Sequence, residues 1–152
     1  MKLILMAAAV ALAAGAAHAA PVSFSWDEHI VNRVEAPAEG GKMVGAVFLE
    51  LHGQVITGGQ TIPITGQCAS WTMPKSSTFE RNGVCMLNGA NGGRVSYLYG
   101  CDWDADHKGQ SCWAYVEGLA GPPAKAKGEA SFHIAVNPDV TGGHVEGSGE
   151  MR

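Results

Sequence analysis

Three aspartates, Asp102, Asp104 and Asp106, alternate along one short segment and are the first candidates for chemistry. Alternate carboxylates in a loop can converge on a hard cation such as calcium. The rest of the segment departs from a calcium loop, because His107 stands where the turn glycine belongs and Trp113 where the final glutamate ligand belongs. We therefore expect a solvated acidic hairpin tip in preference to a metal site, and the sequence predicts no cofactor.

Glu129, Ser131 and His133 are the acid, nucleophile and base types of a hydrolase, close together in the chain. Alternate residues of a strand lie about 6.5 to 7 Å apart at the backbone, whereas a nucleophile and its base must approach to about 3 Å. The three share the face opposite Phe132 and Ile134, which predicts an exposed polar face. No catalytic residue is assigned from the sequence.

The histidines also lack the paired spacing of a zinc helix, although a site assembled from distant strands stays open. Those considered are His29, His52, His107, His133 and His144.

Four cysteines, Cys68, Cys85, Cys101 and Cys112, are an even set without the close spacing of zinc ligands. A hairpin turning around residues 105–109 would set Cys101 opposite Cys112, and one around 75–78 would set Cys68 opposite Cys85. Opposed strand residues approach to about 4.5 to 5.5 Å, within disulfide reach. We predict these two disulfides. A turn at Asn82-Gly83 competes with the second hairpin. A bridge between Cys85 and Cys101 would contradict this order of hairpins.

Aromatic residues concentrate in the middle of the chain, where they could contact a ligand or pack in the core. The candidate ligand contacts are Trp71, Tyr97, Tyr99, Trp113 and Tyr115.

The first residues have the pattern of a secretory signal peptide: Lys2, an apolar run over 3–17, and small residues flanking His18. The run is too short for a spanning helix, which needs about 20 apolar residues. We predict a signal peptide over 1–19, a single domain over 20–152, and a periplasmic or secreted location without a membrane span. Without Lys2, nine Lys and Arg face fourteen Asp and Glu, a net charge near −5. Such a charge disfavours nucleic acid as a partner.

Period-two alternation and frequent turn residues predict an all-β domain. The segment 27–41 is polar and is predicted as a loop or short helical turn, and the Asn-Gly pairs at Asn82, Asn88 and Asn91 as turns that bracket strands. Closing the sheet removes its edges, so we predict a single antiparallel meander β-barrel of about eight strands, braced by disulfides. The predicted strands are 22–26, 42–56, 60–70, 84–87, 94–101, 112–119, 129–136 and 141–151.

Four segments carry a family resemblance: Gly83-Val84-Cys85-Met86-Leu87, Gly92-Gly93-Arg94-Val95-Ser96-Tyr97, Asp104-Ala105-Asp106, and the run from Thr141 to Glu150. With them the C-terminal half resembles small secreted bacterial proteins of uncharacterised function that have an allene oxide cyclase or lipocalin-like β-barrel. The resemblance implies a fold more than an activity. No cyclase residue is matched.

The leading functional hypothesis is an exported, non-enzymatic barrel that binds a small apolar ligand or an envelope protein. Small residues within strands favour a cavity, although they could also mark bulges and corners: Gly45, Ala46, Gly53, Gly66, Gly100, Ala114 and Gly118. One alternative is a cyclase-like enzyme with Glu50 or His52 inside the barrel. Another is a periplasmic hydrolase inhibitor that acts through an exposed loop tip.

Overall fold

Eight antiparallel strands close into one barrel in which each strand pairs with its neighbours in sequence and β8 pairs with β1. A computed structural model describes residues 19–38, 43–73 and 78–152, so the predicted leader lies outside the described residues except for Ala19. The predicted meander barrel is confirmed. The strands are β1 (Ala20–Pro37), β2 (Met43–Thr57), β3 (Gln60–Thr72), β4 (Arg81–Gly89), β5 (Arg94–Trp103), β6 (Gly109–Ala120), β7 (Lys127–Val136) and β8 (Gly142–Met151).

The inward face of each strand follows the apolar parity of its sequence. On β7, for example, Ala130, Phe132 and Ile134 are buried while the residues between them are exposed. On β2 Leu49 and Leu51 are buried, and the polar Glu50 and His52 between and beside them are exposed. No helix in the described part of the chain is long and apolar enough to cross a membrane.

The first strand is much longer than its apolar alternation predicts, so the expectation of a loop over 27–41 is wrong for its described part up to Pro37. β1 pairs with β8 as far as His29, and its pairing with β2 continues to Pro37 after an irregularity between Ile30 and Asn32. This extension has exposed side chains on both faces, including Val34. A segment that buries neither face has no burial periodicity, which is why the sequence pattern missed it.

Both predicted disulfides are confirmed, and both join directly opposed strand residues. Cys68 and Cys85 are register partners on β3 and β4 with Cα atoms 4.1 Å apart, and Cys101 and Cys112 are partners on β5 and β6 at 4.2 Å. The hairpin connection between the first pair includes residues 74–77, which lie outside the described residues. The two bridges fit an oxidising, extracytoplasmic location.

The competing turn at Asn82-Gly83 does not form, because both residues lie within β4. Gly83 is buried against the ring of Tyr99, and a Cβ at this position would collide with that ring. The glycine therefore serves close packing inside the barrel instead of a turn.

Candidate functional site

One half of the barrel interior is an open cavity of about 590 Å³. Its mouth lies at the end where β1 begins and β8 ends, and its wall continues inward to the middle of the barrel. The wall is mostly aliphatic and aromatic, and its polar side chains are few and lie near the ends of strands. The wall positions include Phe24, Trp26, Val55, Thr57, Gln60, Ile62, Asn91, Val95, Tyr97, Val116 and Phe132.

Two loops pack against each other at the mouth of the cavity. The β6–β7 loop contributes Pro122 and Pro123, and a Cβ on Gly93 of the β4–β5 loop would contact the Pro123 ring. A side chain on Gly121, which has a φ of 67°, would collide with the backbone of Gly92. These contacts hold the β6–β7 loop against the rim instead of leaving it free in solvent.

Four aromatic rings form the inner part of the cavity wall, which we call the floor: Phe24, Trp26, Tyr97 and Phe132. Phe24 stacks on Trp26 with ring centroids 4.6 Å apart and an interplanar angle of 14°. Tyr97 lies 6.0 Å from Trp26 and meets Phe132 edge to face at 6.3 Å. Such offset and edge contacts are the geometries that aromatic rings prefer, so the floor is a packed surface.

Beneath the floor the barrel is filled, and its filling includes titratable groups. Burial raises the pKa of Glu28 to about 7, opposed by the positive charge of Arg81. Burial likewise raises the pKa of Tyr99 to about 12, with hydrogen bonding to Ser70 in opposition. The pKa of the Tyr97 phenol is also raised by burial. These carboxyl and phenol groups therefore favour their neutral forms.

The inward carboxyl is thus Glu28, and the expectation that Glu50 or His52 faces inward is wrong. Both lie on the exposed parity of β2, opposite Leu49 and Leu51. Glu28 continues the inward parity of Phe24 and Trp26. The alternation of these three residues along β1 predicts an inward Glu28, but the prediction of a loop over 27–41 excluded it from the strand.

The predicted ligand-contact aromatics separate into three places. Tyr97 lies in the cavity wall, whereas Tyr99 is buried below it. Trp71 and Trp113 are exposed, at 38% and 42%, on the outer surface. With Tyr115, Trp113 borders an outer depression of about 470 Å³ that mixes aromatic and charged residues and opens to solvent. One of the five predicted aromatic side chains, that of Tyr97, therefore lines the cavity.

Most of the small residues that predicted a cavity lie where other groups pack closely against them, and not in the cavity wall. Among them Ala114 lines the cavity. A Cβ on Gly53 would collide with the backbone of Ser25 and Trp26, so this glycine allows β1 and β2 to approach closely. A Cβ on Gly66 would crowd the side chain of Leu87. Gly100 is covered by the ring of Phe79. The cavity exists, but glycine content is a poor guide to its position.

The acidic segment makes separate local hydrogen bonds instead of converging on one point. Asp104 accepts from Ser111 Oγ at 2.8 Å, and its other oxygen lies 2.7 Å from His133 Nε2. These hydrogen bonds, first from His133 and then from Ser111, lower the pKa of Asp104. Asp102 and Asp106 accept from backbone N–H groups elsewhere. Within the described ranges no three His, Cys, Asp or Glu side chains are placed to hold a metal ion.

A serine, a histidine and an aspartate that the sequence analysis did not connect meet on the outer face. His144 Nδ1 lies 2.7 Å from Asp27 Oδ1, and its Nε2 lies 3.2 Å from Ser25 Oγ. This is the contact order of a hydrolase triad. Ser25 and Asp27 share the outer parity of β1, but only barrel closure brings His144 of β8 beside them.

This outer cluster lacks the other parts of a hydrolase site. β1 is paired on both sides along this stretch, so its backbone N–H groups are used in the ladders and are not free to bind an oxyanion. Glu146 lies 3.4 Å from the same Nε2. The hydrogen bond to Asp27 raises the pKa of His144, because the carboxylate stabilises the protonated imidazole.

The fold and the cavity together define the class: a disulfide-braced, eight-stranded antiparallel barrel with one packed and one open half. No family model matches the chain, and a search of curated proteins finds no match to it. The family resemblance of the C-terminal half therefore stays a prediction.

Proposed function

We propose that the protein is an exported binding protein that takes up a small apolar molecule in the open half of its barrel. The observation that supports this is the cavity of about 590 Å³ with its largely apolar wall. Small-molecule sites typically occupy about 300 to 1,000 Å³ and are lined mainly by apolar side chains with a few polar groups. Removing apolar ligand surface from water contributes about 25 cal/mol per Å² of that surface to the free energy of binding.

Binding fits the interior better than turnover. A cyclase-like reaction needs a polar group facing the inner part of its substrate, whereas Glu28 lies beyond the floor and does not line the cavity. The polar residues of the lining lie towards the mouth: Thr57, Gln60, Asn91, Glu129 and Glu150. Contact with an envelope protein or inhibition of a hydrolase would use the outer surface or the loops, and neither would need an apolar interior cavity. We further propose the periplasm or the extracellular space as the oxidising location, in keeping with the signal-peptide pattern at Lys2 and residues 3–17.

The test is a titration with N-phenyl-1-naphthylamine, a neutral apolar probe that fluoresces when it is shielded from water. We expect saturable binding to one site. Val116→Trp places an indole in the cavity and should weaken binding at least about tenfold, because the indole occupies space the probe needs.

Val84→Trp is the matched control, since Val84 is 38% exposed on the outer face of β4. It should leave the affinity within about twofold of wild type. Absence of saturable binding, or equal loss in both variants, would contradict the proposal.

A further inference from the structure

The first strand projects beyond the barrel at the end opposite the cavity mouth. β1 pairs with β8 as far as His29 and with β2 as far as Pro37, so residues 31–37 have a neighbouring strand on one side only. We call this segment the β1 edge. A strand with one unpaired side is a place where a further strand can add to a sheet.

Backbone groups of alternate residues on the β1 edge point away from β2. A Cβ on Gly45 would collide with the carbonyl oxygen of Val34, so this carbonyl points towards β2. The N–H of Gly45 donates to Thr72 Oγ1 at 3.3 Å, and it therefore points away from its register partner Glu35. Opposed residues of an antiparallel ladder direct their backbone groups alike, so those of Glu35 and, by alternation, of Arg33 face outwards. No backbone hydrogen bond joins these outward groups to another residue within the described ranges.

The charges of the β1 edge are complementary to a second copy of the same edge. In an antiparallel pairing with its two-fold axis at Val34, residues equally far before and after that position face each other. Arg33 of each copy then faces Glu35 of the partner subunit, and these are the residues with outward backbone groups. Opposite charges directly across a strand pair are stabilising. Arg33 Nη1 and Glu35 Oε2 lie 3.8 Å apart within one chain, so both side chains are on the same face of the edge.

The apolar side chains lie on the other face of the edge. Val34 is 67% exposed, the most of the large hydrophobic side chains in the described part of the chain. In the same pairing it lies opposite Val34 of the partner subunit, at a pair without mutual backbone hydrogen bonds, where side chains approach most closely. Val44, which is the register partner of Ala36, is exposed on this face as well. Pairing of two edges therefore removes apolar surface from water.

The neighbouring registers fit less well. Moving the pairing by two positions sets Glu35 opposite Glu35 of the partner subunit, or Arg33 opposite Arg33 of the partner subunit, and like charges directly opposite are destabilising. Pro37 has no N–H and ends the edge. Because each copy has one such edge and the two-fold pairing uses it, the assembly closes as a dimer and does not extend into a fibre.

We propose that the protein forms a two-fold dimer in which the β1 edges of two copies pair as antiparallel strands. Main-chain hydrogen bonds of Arg33 and Glu35 join the copies, and the ion pairs between these side chains select the register. The edge lies at the packed end of the barrel, so both cavity mouths stay open and the dimer does not depend on the proposed ligand. An interface below about 1,200 Å² is characteristic of weak association, so we expect a dissociation constant in the micromolar range.

The experiment is a charge exchange followed by sedimentation velocity over a range of protein concentrations. Wild-type protein should pass reversibly from monomer to dimer. Glu35→Arg sets cations opposite each other and Arg33→Glu sets carboxylates opposite each other, so each variant alone should dimerise at least about tenfold more weakly. An equimolar mixture of the two variants restores opposite charges at both pairs and should dimerise about as well as wild type. Glu50→Arg, which reverses an exposed carboxyl on β2, is the control and should stay within about twofold of wild type.

Three results would overturn the dimer as described. The first is wild-type protein that stays monomeric up to about 1 mM, a concentration that populates even weak complexes. The second is dimerisation of both single variants as strong as that of wild type, which would place the contact on another surface. The third is a mixture that associates no more tightly than the variants do alone. None of these results bears on probe binding in the cavity.

A second readout needs no variant. In wild-type protein, hydrogen exchange of the Arg33 and Glu35 backbone N–H groups should slow as the protein concentration rises, because pairing gives them acceptors. The Val34 N–H, which faces β2, is the internal control and should exchange at the same rate throughout. Unchanged exchange at Arg33 and Glu35 under conditions where the protein is dimeric would overturn the edge pairing, even if the charge variants failed to fold.

Discussion

Replacing the carboxyl under the cavity floor should change how the stability of the barrel depends on pH. In the folded protein burial raises the pKa of Glu28 from 4.5 to about 7. Between these two values the folded state keeps a proton that the unfolded chain releases, so the free energy of unfolding falls as the pH rises. This contribution to stability is fully present below about pH 4.5 and lost as the pH passes through about 7.

The magnitude follows from the two pKa values. A tenfold change in acid dissociation is worth about 1.4 kcal/mol, so the loss between pH 4 and pH 8 is at most about 3 kcal/mol. Glu28→Gln keeps the size of the side chain and removes its ionisation. Relative to wild type, the free energy of unfolding of the variant should therefore rise by up to about 3 kcal/mol over this range.

Urea denaturation at intervals from pH 4 to pH 8, with the disulfides intact, measures the difference. Subtracting wild type from variant at each pH cancels the contribution of His144, whose raised pKa also lowers stability as the pH rises. Glu50→Gln is the control, because it removes an exposed carboxyl on the outer face of β2 and should stay within about 0.5 kcal/mol of wild type. A variant-to-wild-type difference for Glu28→Gln that does not change with pH would refute the reasoning.

Two further predictions concern the disulfides and the outer cluster. Replacing Cys68 and Cys85 together by Ala should lower the free energy of unfolding by about 3 kcal/mol in chemical denaturation, because the bridge closes a loop of moderate length; a loss below about 1 kcal/mol would contradict this. Asp27→Asn should lower the pKa of His144 in an NMR titration, since the hydrogen bond that His144 donates to the Asp27 carboxylate is the main cause of its elevation. An unchanged midpoint would show that Asp27 does not act on the imidazole.

The parts of the fold that the sequence predicted are those with one buried face. The alternation along 129–136 placed Phe132 and Ile134 inside correctly, because a half-buried strand must repeat every two residues. The disulfides followed from the same geometry, since opposed residues of a hairpin are near enough to be bridged. Barrel closure followed from the need to remove sheet edges.

The features that the sequence did not predict are of two kinds. Some depend on contacts between distant segments, and others belong to a strand segment that buries neither face. The extension of β1 past Ile30 exposes both faces and so has no periodic pattern. The loop predicted over 27–41 also concealed the inward position of Glu28. The Asn82-Gly83 pair has the composition of a turn. It lies within a strand, where the absence of a Cβ on Gly83 leaves space for the ring of Tyr99. The meeting of Ser25 with His144 requires the register between the first and last strands, which no local pattern encodes.

The open half of the interior lowers the stability of the barrel, and the disulfides offset part of this loss. A cavity forgoes the burial and dispersion contacts that side chains would provide there. Both bridges lie on the inward face below the cavity floor, one across β3 and β4 and the other across β5 and β6. Each restricts the unfolded chain by an amount worth about 2 to 4 kcal/mol, which offsets part of the burial that the open half lacks. Each of the two neighbouring hairpins, β3–β4 and β5–β6, is therefore cross-linked by its own bridge at the packed end of the barrel.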